Sequence, residues 1–336
     1  MQGELAVSVV VAAYNAAATI GECVGALSDQ TVPRSAYEII VIDDGSTDGT
    51  GDIAERAGAT VLRQSNRGTP VARNAGIAVA RGDLVLITDA DCTPAPNWIQ
   101  EMVAPLSDLA ISGTKGVYRT RQRSLAARFV QLEYEDRYDH TARHKYVDFV
   151  DGYAGAFRRQ VLVASGGYDP RFRHLEDQEL SFRLAEAGHK MVFCPTAAVY
   201  HRHADSWSAY ARKKRNIGYW KTWVLALHPG KAAGDSHTPF RVKLQMLLAA
   251  ASLGAFGLAF AFRALLWLPA AILAAFVVSS VPFALKAWRR DAQVAWVSIP
   301  ALYLRAWSLG LGLLAGHVDR LEGRGPLGTP RGAIPR

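Results

Sequence analysis

Two acidic stretches stand at the ends of apolar runs. Asp89-Ala90-Asp91 closes residues 84–88, and Asp43-Asp44-Gly45-Ser46-Thr47-Asp48 closes residues 38–42. Alternate residues of an extended chain share a side, so Asp89 and Asp91 can address one ligand. Carboxylate oxygens are hard ligands suited to Mg2+ or Mn2+, and such an ion neutralises charge on a departing diphosphate. The second stretch also has the composition of a turn followed by a helix N-cap, with Ser46 or Asp48 as the cap. A third acidic pair, Glu176-Asp177, opens an amphipathic stretch in which Leu180 and Leu184 share a face and Gly188 closes the helix. A helix dipole favours the ionised form of a carboxylate at that position. Either residue also serves as an ordinary cap.

The elements that position these groups follow from hydrophobic patterning. Residues 7–12, 38–42, 60–62 and 84–88 read as strands. Residues 20–27, with Ile20, Val24 and Leu27 on one face, and residues 48–57 and 69–80 read as helices. This alternation predicts βαβ units and a largely parallel sheet. In such sheets ligands bind beyond the carboxyl ends of the strands, where the two acidic stretches fall. Further on, residues 98–105 read as a helix, 111–118 and 147–157 as strands, and 191–193 and 197–200 as two short strands around Pro195. Residues 206–227 read as an aromatic, basic helix.

Four motifs then occur in order: Val9-Val10-Val11-Ala12-Ala13-Tyr14-Asn15, Ile40-Val41-Ile42-Asp43-Asp44-Gly45-Ser46-Thr47-Asp48, Arg73-Asn74-Ala75-Gly76, and Asp89-Ala90-Asp91. Together they resemble the family 2 glycosyltransferases. The resemblance runs from about Val7 to Tyr219. It implies the GT-A fold, an α/β architecture with a Rossmann-like mixed sheet, and inverting transfer from a nucleotide diphosphate sugar, with a UDP-sugar favoured. It also implies roles residue by residue. Asp44 contacts the base. Tyr14 and the backbone at Ala12 line the nucleotide pocket. Arg73 lies near base or phosphates, Asp89 near the ribose, and Asp91 holds Mg2+ or Mn2+. Glu176, Asp177, Leu180, Arg183 and Leu184 resemble the acceptor motif, with Asp177 as general base and Glu176 as the other candidate for that role.

His201, in His201-Arg202-His203, is either a further metal ligand, a diphosphate contact or a plain strand end. Arg212, Arg215 and Trp220 occupy the place where processive members carry Gln-x-x-Arg-Trp. The sequence departs from that pattern, which puts processive polymerisation in doubt. The basic helix grips the diphosphate or acceptor, or else forms a belt at a membrane surface.

Composition supports a membrane setting. The 336-residue chain is 50% hydrophobic and 20% charged, with net charge +8. Between Arg202 and Lys243, nine Lys/Arg face two Asp. Residues 244–262 and 264–285 carry no charge, and only Arg263 separates them, so they read as a transmembrane hairpin of roughly 20-residue spans. Basic flanks at Arg241/Lys243 and Lys286/Arg289/Arg290 put both ends in the cytoplasm. Residues 292–316 span or lie in the interface, since they contain Pro300 and Arg305. Cys23, Cys92 and Cys194 have no CxxC spacing, so neither a zinc site nor a disulfide framework is expected. No signal peptide is expected.

The resulting expectation is a catalytic domain at 1–230, a basic linker at 231–243, a membrane region at 244–316 and a disordered tail at 317–336. The protein would sit in the inner membrane, multi-pass, with the catalytic domain cytoplasmic. Its partners would be a nucleotide diphosphate sugar, a lipid-linked or glycan acceptor and the membrane, without nucleic acid. The rival expectations are transfer to a polyprenyl phosphate, whose anion needs no base, and a non-catalytic nucleotide-sugar-binding membrane subunit.

Overall fold

In chain order the elements are β1 (Val7–Ala13), α1 (Ile20–Ser28), β2 (Tyr37–Asp43), α2 (Thr50–Arg56), β3 (Thr60–Arg63), α3 (Thr69–Val79), β4 (Leu84–Asp89), β5 (Cys92–Pro94), α4 (Trp98–Val103), β6 (Ile111–Arg119), α5 (Leu125–Thr141), β7 (Gly155–Arg158), α6 (Arg159–Ala164), α7 (Glu176–Glu186), β8 (Lys190–His201), α8 (Trp207–Leu227), α9 (Phe240–Ala261), α10 (Trp267–Arg290) and α11 (Ala292–Leu321). The computed structural model describes residues 6–326. They pack as two units, one of residues up to 121 with 141–202, the other of residues 122–140 with 203 onward.

In the first unit the described strands form one eight-stranded sheet in the order β3-β2-β1-β4-β7-β6-β8-β5. β1 is parallel to both β2 and β4, in a register that sets Ala13 beside Asp43 and Ala12 beside Asp89. β1 and β2 are buried almost throughout, as expected of parallel strands covered on both faces. On one face Val10, Ile40, Ile42, Val85 and Ile87 pack with Ala72 and Ile77 of α3, Leu162 of α6 and Leu180 and Leu184 of α7. From β7 the sheet turns mixed: β7 is antiparallel to β4 and β6, β6 is parallel to β8, and β5 closes antiparallel on β8.

Three expected strands differ. Of residues 147–157, only the end joins a strand, at Gly155–Arg158, while Val147 makes an isolated bridge to Met191. The run is apolar because it is buried, but Asp151 and Gly152 turn the chain there, with the Ala154 amide donating to the Asp151 carbonyl at 3.3 Å. The two short strands around Pro195 are one strand, β8. The ladder with β6 passes from Phe193 to Ala198 opposite Lys115 and Val117, so Pro195 sits in the irregular stretch, where no N–H is required of it.

The second unit is helical. Phe129, Val130 and Leu132 of α5, Tyr210 of α8, Ala249 of α9, Phe276, Phe283 and Ala287 of α10 and Val294, Ala301, Leu302 and Ala306 of α11 form its core. α5 was not anticipated from the sequence, because apolar and charged residues alternate around it without one clean stripe. α5 and α8 group with the long apolar helices in this second unit.

Three helices, at Phe240–Ala261, Arg263–Arg290 and Ala292–Leu321, are long and apolar enough to cross a membrane. α9 begins inside the expected linker, and α11 runs through Pro300 and includes residues 317–321 of the expected tail. Residues 327–336 of that tail lie outside the described residues. Arg305 does not interrupt α11. It donates to Glu133 of α5 at 2.9 Å, and Lys214 of α8 holds the other oxygen of Glu133 at 3.0 Å. Burial works to raise the Glu133 pKa, but Lys214 and Arg305 overcome it and hold the carboxyl at about 2, while burial pulls Lys214 down to about 7.

Candidate active site

The site lies in the first unit, at the aligned carboxyl ends of β1, β2 and β4. Beyond β1 and β2 the two loops are zipped together. The Asn15 amide donates to Ser46 Oγ at 2.9 Å, the Thr47 amide to Asn15 Oδ1 at 2.9 Å, and the Ala17 amide to Asp48 Oδ2 at 3.0 Å. Asp48 also accepts from the Thr50 amide at 3.1 Å. Neither Ser46 nor Asp48 is the N-cap of α2. That position belongs to Gly49, and the helix starts two residues later than expected. Tyr14 is left 53% exposed on this loop, open to a ligand, and Ala12 is partly buried.

Asp44 is buried. Its Oδ1 accepts from the Gln64 side chain at 2.6 Å and the Arg67 amide at 2.9 Å, and its Oδ2 from the Gly68 amide at 2.8 Å. A carboxylate has about four acceptor positions, so this residue organises segment 64–68 and keeps one position for a ligand donor. Its neighbour Asp43 accepts from the Ser46 amide at 2.9 Å, which shapes the turn.

Arg73, on α3, was expected against base or phosphates. It is instead 3% exposed and serves as an internal strut. Nη2 donates to Asp89 at 2.7 Å, Nη1 to Glu176 at 2.6 Å, and Nη2 also to the Gly152 carbonyl at 3.3 Å. The guanidinium carbon lies 5.3 Å from the centre of the Tyr168 ring. Gly152 is required by this approach, since a Cβ there would meet the guanidinium. Burial pushes the Glu176 pKa up to about 7 against the pull of Arg73.

Asp177 is half-buried. Its Oδ2 accepts from the Gly152 amide at 2.9 Å and its Oδ1 from the Gln178 amide at 2.8 Å. Leu175, just before the helix, is held at φ 59. Left-handed backbone is costly for a branched residue and persists only where the surroundings impose it. Here it sets the direction in which α7 presents its acidic pair.

Asp91 is the open carboxylate, with its side chain 45% exposed and Oδ2 3.3 Å from His201 Nε2. Cys92 and His201 are register partners between β5 and β8, which explains why Asp91 meets His201. His201 tilts against Tyr118 with centroids 4.4 Å apart. Ligand atoms of Asp89, Asp91 and Cys92 lie within 4.8 Å of one another. Burial raises the Cys92 thiol well above its usual range.

The structure therefore brings together Asp89, Arg73, Glu176 and Asp177 on one side and Asp91 and His201 on the other, with Asp89 and Asp91 joined through β4 and its turn. Arg212, Arg215 and Trp220 belong to α8 in the second unit. There Trp220 is 9% exposed and packed, while the two arginines are exposed. Sequence reasoning missed Gly152, Tyr168 and Cys92. It also missed a buried ion pair between Lys115 and Asp151, the residue before Gly152. The charges inside the apolar runs 111–118 (Lys115) and 147–157 (Asp148 and Asp151) were its available signal.

Acidic residues gathered where parallel strands end, on a sheet that turns mixed after its fourth strand, are the layout of the GT-A fold. Residues 8–166 match the sequence model of Glycosyl transferase family 2. Glycosyltransferase AglE of Haloferax volcanii is 34% identical over 111 residues, 31% of this chain and 36% of that protein. The probable glycosyltransferase YdaM of Bacillus subtilis is 27% identical over 224 residues, 62% of this chain and 53% of that protein. The chain thus matches about a third to a half of the length of these relatives. The mannosyltransferase PcManGT of Pyrobaculum calidifontis, solved with GDP-Man and Mn2+, superposes with a TM-score of 0.58 at 24% identity, over 91% of this chain and 86% of that one. At that identity the likeness is one of fold.

Proposed function

We propose that this protein transfers a sugar, with inversion, from a nucleoside diphosphate sugar to a hydroxyl of a lipid-linked or glycan acceptor at a membrane, with Asp177 as general base. The observation that carries the reading is Arg73, which ties Asp89 at the end of β4 to Glu176 at the start of α7. The arrangement supports a division of labour. Glu176 is committed to Arg73 and acts as a positioning residue. Asp177, oriented by two backbone amides, keeps acceptor capacity for a hydroxyl proton. As the acceptor oxygen bonds to the anomeric carbon, its proton passes to Asp177, the bond from that carbon to the diphosphate breaks, and the nucleoside diphosphate leaves with the electron pair. The remaining acceptor position of Asp44 suits a ring N–H of the base, as in uracil, with Tyr14 and the Ala12 backbone beside it.

Asp91, Asp89 and His201 suit Mg2+ or Mn2+: two hard carboxylates and an imidazole, with Asp91 open to solvent. The soft sulfur of Cys92 is a poorer match for these hard ions. Bound there, the ion supplies charge neutralisation for the leaving diphosphate. Membrane-length helices in the same chain favour a lipid-linked acceptor.

The test is a donor panel on the purified chain in detergent, comparing UDP- and GDP-sugars with Mg2+ or Mn2+. Transfer is expected from one donor and lost in Asp91→Asn and Asp177→Asn at unchanged melting temperature. Wild-type rates in both variants would overturn the reading. Loss in Asp91→Asn alone, with full activity on a polyprenyl phosphate in Asp177→Asn, would move the acceptor to an anion that needs no base.

A further inference from the structure

Each of the three apolar helices is long enough to cross a membrane, but their polar attachments differ. α9 and α10 are tied near one end of their hairpin. Arg241 pairs with Asp136 at 2.5 Å and Lys286 with Asp139 at 2.6 Å, both on α5. Their far end is apolar apart from Arg263, with Phe260 95% exposed. This is the pattern of a hairpin that enters and returns.

α11 meets polar helices at its start, in its middle and near its end, and between these points it also packs on the hairpin, where Tyr303 meets Ser252 of α9 and Phe276 of α10. At its start Asp291 and Gln293 meet Arg128 of α5 at 3.2 and 2.6 Å. In its middle Arg305 meets Glu133. Beyond that it runs beside α8. Thr222 donates to the Leu313 carbonyl at 3.2 Å and Tyr219 to Asp319 at 3.0 Å. Gly312 allows this approach, because a Cβ there would overlap the Arg215 carbonyl. From Asp291 to Asp319 is about 40 Å of helix at 1.5 Å per residue, more than the roughly 30 Å of a hydrocarbon core. α5 and α8 are charged helices, with Arg212, Lys213, Lys214, Arg215 and Lys221 on α8 alone. Polar attachments that recur over that length favour a place at the membrane surface. Its faces agree: Arg305, Ser308, Gly312 and Gly316 are buried, while Leu311, Leu314, Val318 and Leu321 form an exposed apolar stripe.

Between α8 and α11 lies a groove of about 730 Å3, lined by Arg212, Lys213, Arg215 and Asn216 and, from α11, Ala315 and Asp319. The three cations form no ion pair among the described residues. The carboxylate of Asp319 is engaged by Tyr219. We propose that α11 lies in the plane of the membrane surface rather than crossing it, and that the α8–α11 groove seats the phosphate of an anionic lipid headgroup. The occupant follows from the charge of the groove and from its continuity with an apolar stripe that meets acyl chains, as in interfacial helices with basic polar faces.

The test uses the full chain in sealed vesicles of phosphatidylcholine and phosphatidylglycerol. Single cysteines Ala292→Cys, Glu322→Cys and Phe262→Cys are probed with an impermeant maleimide, since the native thiols are buried. Labelling of 292 and 322 from one side and of 262 from the other is expected. Labelling of 322 together with 262 overturns the in-plane placement. In detergent, binding of a fluorescent phosphatidylglycerol is expected to weaken about tenfold or more in Arg212→Gln/Arg215→Gln. Unchanged binding overturns the headgroup site. Displacement of the lipid by an equal concentration of inorganic pyrophosphate would assign the groove to a free phosphate and overturn the lipid occupant.

Discussion

Arg73 donates to Glu176 across 103 residues of sequence at 2.6 Å, and the same guanidinium holds Asp89. A single buried cation thereby fixes the distance between the strand-end motif and the helix-start motif.

Replacing Arg73 leaves two carboxylates in a desolvated site without their partner. Arg73→Met is expected to cost about 3–5 kcal/mol, the usual penalty for breaking a buried pair from one side. Arg73→Lys keeps the charge but cannot reach both carboxylates with a fork, and should fall between. Thermal unfolding in detergent checks this. A wild-type melting temperature for Arg73→Met would contradict the strut.

Glu176 gives a pH signature. Burial raises its folded pKa from 4.5 to about 7, so the folded state holds more protons than the unfolded state between those values. Stability then falls as pH rises from about 4.5 to about 7 and is flat outside that window. In Glu176→Gln this slope should disappear. Parallel curves of melting temperature against pH for the two proteins would reject the assignment.

Asp91 is exposed, so Asp91→Asn should change folding by no more than about 0.5 kcal/mol. Added Mn2+ should raise the wild-type melting temperature by preferential binding to the folded state, and should fail to do so in the variant. An equal Mn2+ response in both would remove Asp91 from the donor set.

Asp177→Asn should lower kcat by about 10²–10⁴-fold, the contribution of a positioned base, with KM for the donor sugar nearly unchanged. A rise in KM at constant kcat would make Asp177 a binding residue.

In the second unit, Glu133→Gln strands Lys214 and Arg305 in a buried site. A loss of about 3–5 kcal/mol is expected, with partial recovery in a Glu133→Gln/Lys214→Met double variant because one stranded charge is removed. A strictly additive double variant would show that the two residues are not coupled.

The strand-rich first half was legible because its strands are uninterrupted β-branched runs and its acidic turns follow them directly. Beyond residue 120 the patterning weakens. The buried run at 147–157 looks like a strand because burial, not pairing, selects its apolar residues, and its Gly152 peptide has work on both sides. α5 escaped notice because its charges face inward, toward Arg305 and Arg241, where the usual amphipathic rule expects apolar residues. The roles of Arg73 and Asp44 were legible as positions, but not as contacts. Nothing in a helix of residues 69–80 reveals that an arginine there points to a carboxylate more than a hundred residues away.

The excursion of the chain into α5 bears on the order in which the protein is made. After β6 the chain leaves the sheet, forms α5, and only then returns for β7, which pairs with both β4 and β6. α5 emerges from the ribosome long before Arg305, the cation that answers Glu133. During synthesis the sheet must wait for residues beyond 155, and α5 must wait for nearly the whole chain. Maturation of the first unit is thus bracketed by a helix whose own partners arrive later, on α8, on the apolar hairpin and finally on α11. A soluble fragment ending near residue 230 would keep Phe129, Leu132 and Glu133 but lack the helices that cover and neutralise them.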